Sequence, residues 1–212
     1  MQIDIWSDIA CPWCYLGKRR LETALASFEG AGEVEVRWHS FELDPAAPAA
    51  YEGDHAERMA RRYGRTREEI VASLASMRAM AASEGVELNF AEIRAGNSFD
   101  GHRLLQLAAE HGLQDEMKER LMRAYFTDGE LISDHSVLRR LGIEAGLPAD
   151  EVDAMLAGED RGEQVREDEF TAQRLGIDAV PFFIFDRRLA ARGALDPPQL
   201  LEALRQAASL PD

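Results

Sequence analysis

Alternation of apolar and polar residues is confined to the two ends of this 212-residue chain, and helical spacing fills the stretch between them. Near the start Ile3 and Ile5 alternate with Asp4 and Trp6, the pattern of a short strand near a sheet centre. Over residues 33–41, Val34, Val36 and Trp38 alternate with Glu35, Arg37 and His39 in a second strand. Between these strands Leu21, Leu25 and Phe28 recur at i, i+4 and i+7, which predicts a helix closed by Gly30 and Gly32. Strand, helix and strand in that order predict a right-handed βαβ unit. At the other end a helix over roughly residues 160–175 leads to the apolar run Phe182-Phe183-Ile184-Phe185. Asp186-Arg187-Arg188 bounds that run, and residues 189–192 return as a strand that stops at Gly193. Asp196 as N-cap and Pro197 at the first helical position open a final helix carrying Leu200, Leu201 and Leu204.

In the middle, Asp44-Pro45-Ala46-Ala47-Pro48 reads as an exit loop. Thr66 and Glu69 have capping-box spacing ahead of Ile70, Leu74, Met77 and Met80, which fit helical core positions, with Gly85 as the stop. Further helices are expected at roughly 99–111, 114–127, 135–145 and 149–157; Met117, Leu121 and Tyr125 form the apolar stripe of the second. The organisation is therefore 1–45, an all-helical insertion over 46–159, then 160–212. With the insertion removed, the order β-α-β followed by α-β-β-α is that of a thioredoxin fold, so the expected class is α/β, thioredoxin-like with a large helical insertion.

Composition narrows the partners. The 24 basic against 39 acidic side chains give a net charge of −15, without the cationic footprint that nucleic acid or an anionic membrane requires. No run approaches the roughly 18–20 apolar residues of a membrane span. Met1-Gln2-Ile3-Asp4-Ile5-Trp6 lacks the basic-then-apolar order of a signal peptide, so a cytoplasmic location is expected. Two cysteines exclude a disulfide-stapled scaffold, a four-thiolate zinc site and an iron–sulfur cluster held by this chain alone.

Both cysteines fall in Cys11-Pro12-Trp13-Cys14, between the first strand and the first helix. At a helix start, unpaired N–H groups and the positive end of the dipole favour a thiolate. Pro12 suits the first turn, where its missing N–H leaves no bond unmade. The natural assignment is Cys11 as exposed nucleophile and Cys14 as a more buried resolving thiol that can close a disulfide onto it. Half a zinc site completed by a histidine, an inert core pair and a static disulfide are the competing readings; no second ligand pair at metal spacing supports the first. Val180-Pro181 places a proline at the entry to a strand, which implies an edge, a strand start or a cis turn. Trp13 either stacks on a substrate or packs on the helix start, and Asp8 either accepts a proton or caps the turn. Lys18 and Arg19 read as solvated. Asn97 and Ser98 read as caps, Asn97 also as a cleft residue, and His102 as either a cleft residue or a core histidine.

The segment Ser7-Asp8-Ile9-Ala10-Cys11-Pro12-Trp13-Cys14-Tyr15-Leu16-Gly17-Lys18 resembles the active-site segment of DsbA-like thiol:disulfide oxidoreductases of the FrnE branch. Phe41-Glu42-Leu43-Asp44-Pro45, Asn97-Ser98-Phe99-Asp100-Gly101-His102-Arg103-Leu104 and Gly176-Ile177-Asp178-Ala179-Val180-Pro181-Phe182-Phe183-Ile184 resemble three further segments in family order. The likeness runs from residue 3 to about 195. It implies Pro181 in cis, Val180 beside Cys11, and thiol:disulfide exchange. The backbone before the proline would pair with an extended substrate. It implies a redox-active disulfide with no metal or organic cofactor, glutathione as an admissible co-substrate, and a thiol- or disulfide-containing protein or small molecule as partner. The assembly implied is a monomer or homodimer. Phe182 stands where the family often has a small polar residue, Asp186-Arg187 where it has Asp-Gly, and Gly193-Ala194-Leu195 lacks the expected glutamine. Kappa-class glutathione transferases and 2-hydroxychromene-2-carboxylate isomerases share the architecture but use a serine-type site with glutathione. A glutathione-dependent enzyme of that kind is the alternative, against which the paired cysteines argue.

Overall fold

A computed structural model describes residues 1–210. In chain order the elements are β1 (Gln2–Ser7), α1 (Pro12–Ala26), β2 (Glu35–Ser40), α2 (His55–Tyr63), α3 (Arg67–Ser83), α4 (Phe99–Glu110), α5 (Gln114–Phe126), α6 (His135–Glu144), α7 (Ala149–Ala157), α8 (Gly162–Arg174), β3 (Phe182–Phe185), β4 (Leu189–Arg192) and α9 (Pro197–Ser209). They form two compact units, Met1–Leu43 with the chain from Glu163 onward, and Asp44–Gly162.

The first unit is built on a mixed sheet of order β2-β1-β3-β4. β1 and β2 run parallel, so they need a crossover, and α1 supplies it. β3 is antiparallel to β1 and to β4. The register aligns Ile3 with Phe185, and Ile5 with both Phe183 and Trp38, so these residues share a face. Leu21 and Ala24 of α1 and Leu200, Ala203, Leu204 and Ala207 of α9 close over that face as one core. α9 starts as its sequence demands, with Asp196 and Gln199 in a reciprocal capping box and proline in the first turn. α1 ends at Ala26, short of the expected glycine stop. The N–H groups of Ser27 and Phe28 turn back to Ala24 and Leu25, and Phe28 packs against the core from outside the helix.

Residues other than glycine carry the β3–β4 turn: Asp186 and Arg187 take positive φ values of 47° and 58°. The start of β1 braces it. Gln2 N–H donates to the Asp186 carboxylate at 2.7 Å, and Asp186 N–H donates to the Gln2 carbonyl at 2.8 Å.

In the helical unit, Leu104, Leu107, Met117, Leu121, Leu138, Leu141, Val152 and Met155 of α4–α7 are wholly buried. Arg103 joins them because its donors are used: its guanidinium bonds the carbonyls of Met155, Gly158 and Asp160 and the Asp100 carboxylate. α2 was not expected. Asp54 caps it by accepting the Glu57 N–H at 2.8 Å, and Gly64 ends it with φ of 63°. α3 begins with the expected Thr66–Glu69 capping box but buries only Ile70 and Ala81. Met77 is half-buried and Met80 exposed, so their helical spacing marks a largely solvated helix. Caps weigh more in such a helix than packing does. Thr66→Ala should therefore cost about 1 kcal/mol and raise hydrogen exchange selectively in α3. Equal exchange in both proteins would show that the cap is dispensable. Among the described residues no helix is long and apolar enough to cross a membrane.

Candidate active site

Cys11 is the N-cap of α1, with extended backbone (φ −97°, ψ 112°), and Pro12 follows in the first turn. The Cys11 carbonyl accepts the N–H of Cys14 at 3.0 Å and of Tyr15 at 3.3 Å, closing the turn that brings the two sulfurs together. Both thiols are free. From the other side of the unit, the carbonyl of Val180 accepts the Cys11 thiol at 3.7 Å, and the Val180–Pro181 peptide bond is cis.

Gly17 fixes how closely these parts meet. It lies in α1 one turn past Cys14, and a Cβ there would stand 2.9 Å from Pro181 Cγ and 3.5 Å from the Phe183 ring. No side chain fits between this turn of α1 and the proline.

Two expectations about Cys11 change, while Cys14 is the more buried thiol as expected. Cys11 is 4% exposed rather than open, and Cys14 is fully buried. The Cys11 thiol is held well above its usual range, first by its hydrogen bond with Cys14, next by burial, and then by charge on Cys14 and Asp8. The Cys14 N–H does favour the Cys11 thiolate, as a helix start should, but those effects outweigh it.

Asp8 is 2% exposed. One carboxylate oxygen accepts the Ala10 N–H at 3.1 Å and the other the Leu43 N–H at 2.8 Å, while its carbonyl accepts the Cys11 N–H at 3.3 Å. The expected turn cap is therefore present, extended by a tie to the segment after β2. Trp13 is 41% exposed and is the part of the motif that faces solvent. Lys18, expected to be solvated, is buried with its ammonium on Glu22. Asn97 and His102 lie in the helical unit. The Asn97 side chain accepts the Phe99 N–H at 2.8 Å at the start of α4, and His102 is wholly buried.

A cluster that the sequence did not announce occupies the opposite sheet face from the core. His39 Nδ1 meets Asp168 at 2.6 Å and Nε2 meets Asp4 at 2.9 Å. The ring stacks on Trp6 with centroids 4.4 Å apart. Asp168 also accepts the Ser40 N–H at 2.8 Å, and its carbonyl accepts the Trp6 indole N–H at 3.0 Å. Among the described residues no group of three or more histidine, cysteine, aspartate or glutamate side chains is placed to hold a metal ion.

The profile of the DSBA-like thioredoxin domain matches residues 2–205. The chain belongs to that family. A probable DsbA oxidoreductase from Streptomyces coelicolor superposes with a TM-score of 0.95 at 39% identity, over 100% of this chain and 92% of that one. The fold is thus DsbA-like, a thioredoxin-like domain carrying a helical insertion. The cytosolic disulfide reductase DsbM of Pseudomonas aeruginosa, solved with glutathione, shares that fold: TM-score 0.64, 23% identity, 99% of this chain and 100% of that one. The uncharacterised protein YwbO of Bacillus subtilis is 28% identical over 151 residues, 69% of this DsbA-like chain and 67% of YwbO.

Proposed function

We propose that this DsbA-like protein catalyses thiol:disulfide exchange, with Cys11 as nucleophile and Cys14 as resolving thiol. The observation that carries the reading is a free dithiol at the start of α1, its outer sulfur on the carbonyl of the residue before Pro181. Cys11 attacks a disulfide and forms a mixed disulfide. Cys14, held in the same helical turn, attacks Cys11 and releases the bound half as a thiol. In the opposite direction a substrate thiol enters through the oxidised pair. Pro12 starts the helix, Trp13 offers its exposed ring to the substrate, and Val180 and Pro181 form the wall facing Cys11.

The partner is a protein or small molecule bearing a thiol or disulfide. Glutathione fits as co-substrate, in keeping with its presence in the DsbM structure. A reducing cytoplasm keeps such a pair in the free form, and the FrnE branch suits the matched segments.

Trapping tests this. In Cys14→Ser, Cys11 should accumulate a mixed disulfide with glutathione or a thiol peptide, visible by intact mass and absent from Cys11→Ser. Failure to trap in that variant, with a wild-type pair that never cycles, would refute the reading. A glutathione-dependent isomerase requires instead that activity survive Cys14→Ala.

A further inference from the structure

We propose that Arg20 is a positioning residue of the exchange site: it pins the turn after β4 to the dithiol helix and so holds the Val180–Pro181 wall against Cys11. The inference rests on the exchange reading above and names what keeps its reacting parts together.

The face of α1 that meets the proline continues past Gly17. Arg20 stands three residues further on, and side chains at that spacing are neighbours on a helix. A buried cation is costly unless its donors are used, and Arg20 is only 7% exposed. Its Nη1 donates to the Ala194 carbonyl and pairs with an Asp196 carboxylate oxygen at 2.9 Å. Both acceptors belong to the short segment between β4 and α9. At the start of that segment Gly193, with φ of 83°, donates its N–H to the Pro181 carbonyl at 2.8 Å. Arg192, just before it, pairs with Asp178 at 2.8 Å, but both side chains are largely exposed and water weakens such a pair. The stronger tie is the buried one. Arg20 holds Ala194 and Asp196, Gly193 holds Pro181, and the Val180 carbonyl receives the Cys11 thiol at 3.7 Å. Cys11 caps the helix that carries Arg20, so the circuit closes through α1 itself. A guanidinium keeps its charge at every pH the protein meets, which makes the tie permanent.

Exchange has two steps, and the tie serves the first. Cys11 thiolate attacks R–S–S–R′, the bond from Cys11 to the R-side sulfur forms, and R′S⁻ leaves. That attack needs the substrate seated between Cys11 and the Val180–Pro181 wall, where a small misplacement costs rate steeply. Cys14 thiolate then attacks Cys11, and RS⁻ leaves as the internal disulfide closes. The two protons given up by the pair end on the released thiols; the substrate is reduced and the pair oxidised. Both sulfurs of the second step sit in one turn at the start of α1, so the turn after β4 has no part in it.

The experiment mixes reduced wild type, Arg20→Met and Arg20→Lys with an excess of a disulfide-bonded model peptide. Acid quench and intact mass follow the rise and decay of the Cys11 mixed disulfide. In Arg20→Met the rise should slow about tenfold while the decay stays within about twofold of wild type. Arg20→Lys, which keeps a cation for Ala194 and Asp196, should recover part of the loss. Hydrogen exchange at the Gly193 N–H should quicken in Arg20→Met, because its acceptor is no longer held. A merely structural arginine would lower the melting temperature and leave both rates per folded molecule alone. Should Arg20→Met fail to fold, Asp196→Asn decides: it removes the partner charge, keeps a helix cap, and should show the same split in smaller measure. Unchanged rates in the deciding variant, or rise and decay slowed alike, overturn the role of Arg20 and leave exchange itself standing. A wild-type pair that captures no peptide disulfide sinks the functional reading and this inference with it.

Discussion

Gly17→Ala is expected to lower stability by about 1–3 kcal/mol and to slow thiol exchange together, although an ordinary helical glycine gains stability from alanine. Helix propensity alone would favour the change by roughly 1 kcal/mol. The new Cβ would meet Pro181 Cγ at 2.9 Å, well inside the ~3.5–4.0 Å of a relaxed carbon contact. The obstacle is a proline ring rather than the end of a flexible chain, so α1 or the Val180–Pro181 segment has to move. Either shift separates Cys11 from the carbonyl that now receives its thiol at 3.7 Å. Gly32→Ala is the matched control, since a Cβ there has nothing within 4 Å, and it should fall within about 0.5 kcal/mol of wild type. Denaturant melts and alkylation rates on both variants decide. A Gly17→Ala protein as stable and as reactive as wild type would show that the contact between α1 and the proline yields easily.

That contact also marks the limit of what the sequence could show. The strands and α4–α7 of the insertion were legible because each buries a face at its own period: Ile3 and Ile5 point into one core with Phe183 and Phe185, and Met117 and Leu121 into another. α2 was overlooked because it buries only Ala56 and leans on its caps, leaving no apolar stripe to read. The apolar spacing of α3 pointed to core positions that tertiary packing does not supply. Cys11, Cys14 and Pro181 stood out through residue type and placement. The protonation of Cys11 did not, because its hydrogen bond with Cys14, its burial and the Asp8 charge all depend on three-dimensional proximity. Lys18 likewise reads as a surface residue until the fold buries it against Glu22. The His39 cluster was hidden for the plainest reason: 35 residues separate its histidine from Asp4, and 129 separate it from Asp168.

That cluster governs the second large effect expected. Asp168→Ala should cost about 3 kcal/mol, or about 6–12 °C in melting temperature, because His39 and the Ser40 N–H lose their acceptor together. Carboxylates on both ring nitrogens require both to donate, which only the imidazolium can do. Burial pushes the His39 ring toward the neutral form, but the hydrogen bonds and charges of Asp168 and then Asp4 win, and its pKa lies above the ordinary 6.5. A raised folded value means the stabilisation is complete below the unfolded pKa and is lost as pH climbs from about 6.5 through the folded value. The difference in unfolding free energy between wild type and His39→Gln should therefore be largest on the acidic side of that window and shrink across it. Asp4 and Asp168 face the ring from β1 and α8, so each aspartate replaced by asparagine should move the window toward lower pH, Asp168 the further of the two. A difference that instead grows as pH rises would mean that His39 is held neutral, and that one ring nitrogen meets a protonated carboxyl.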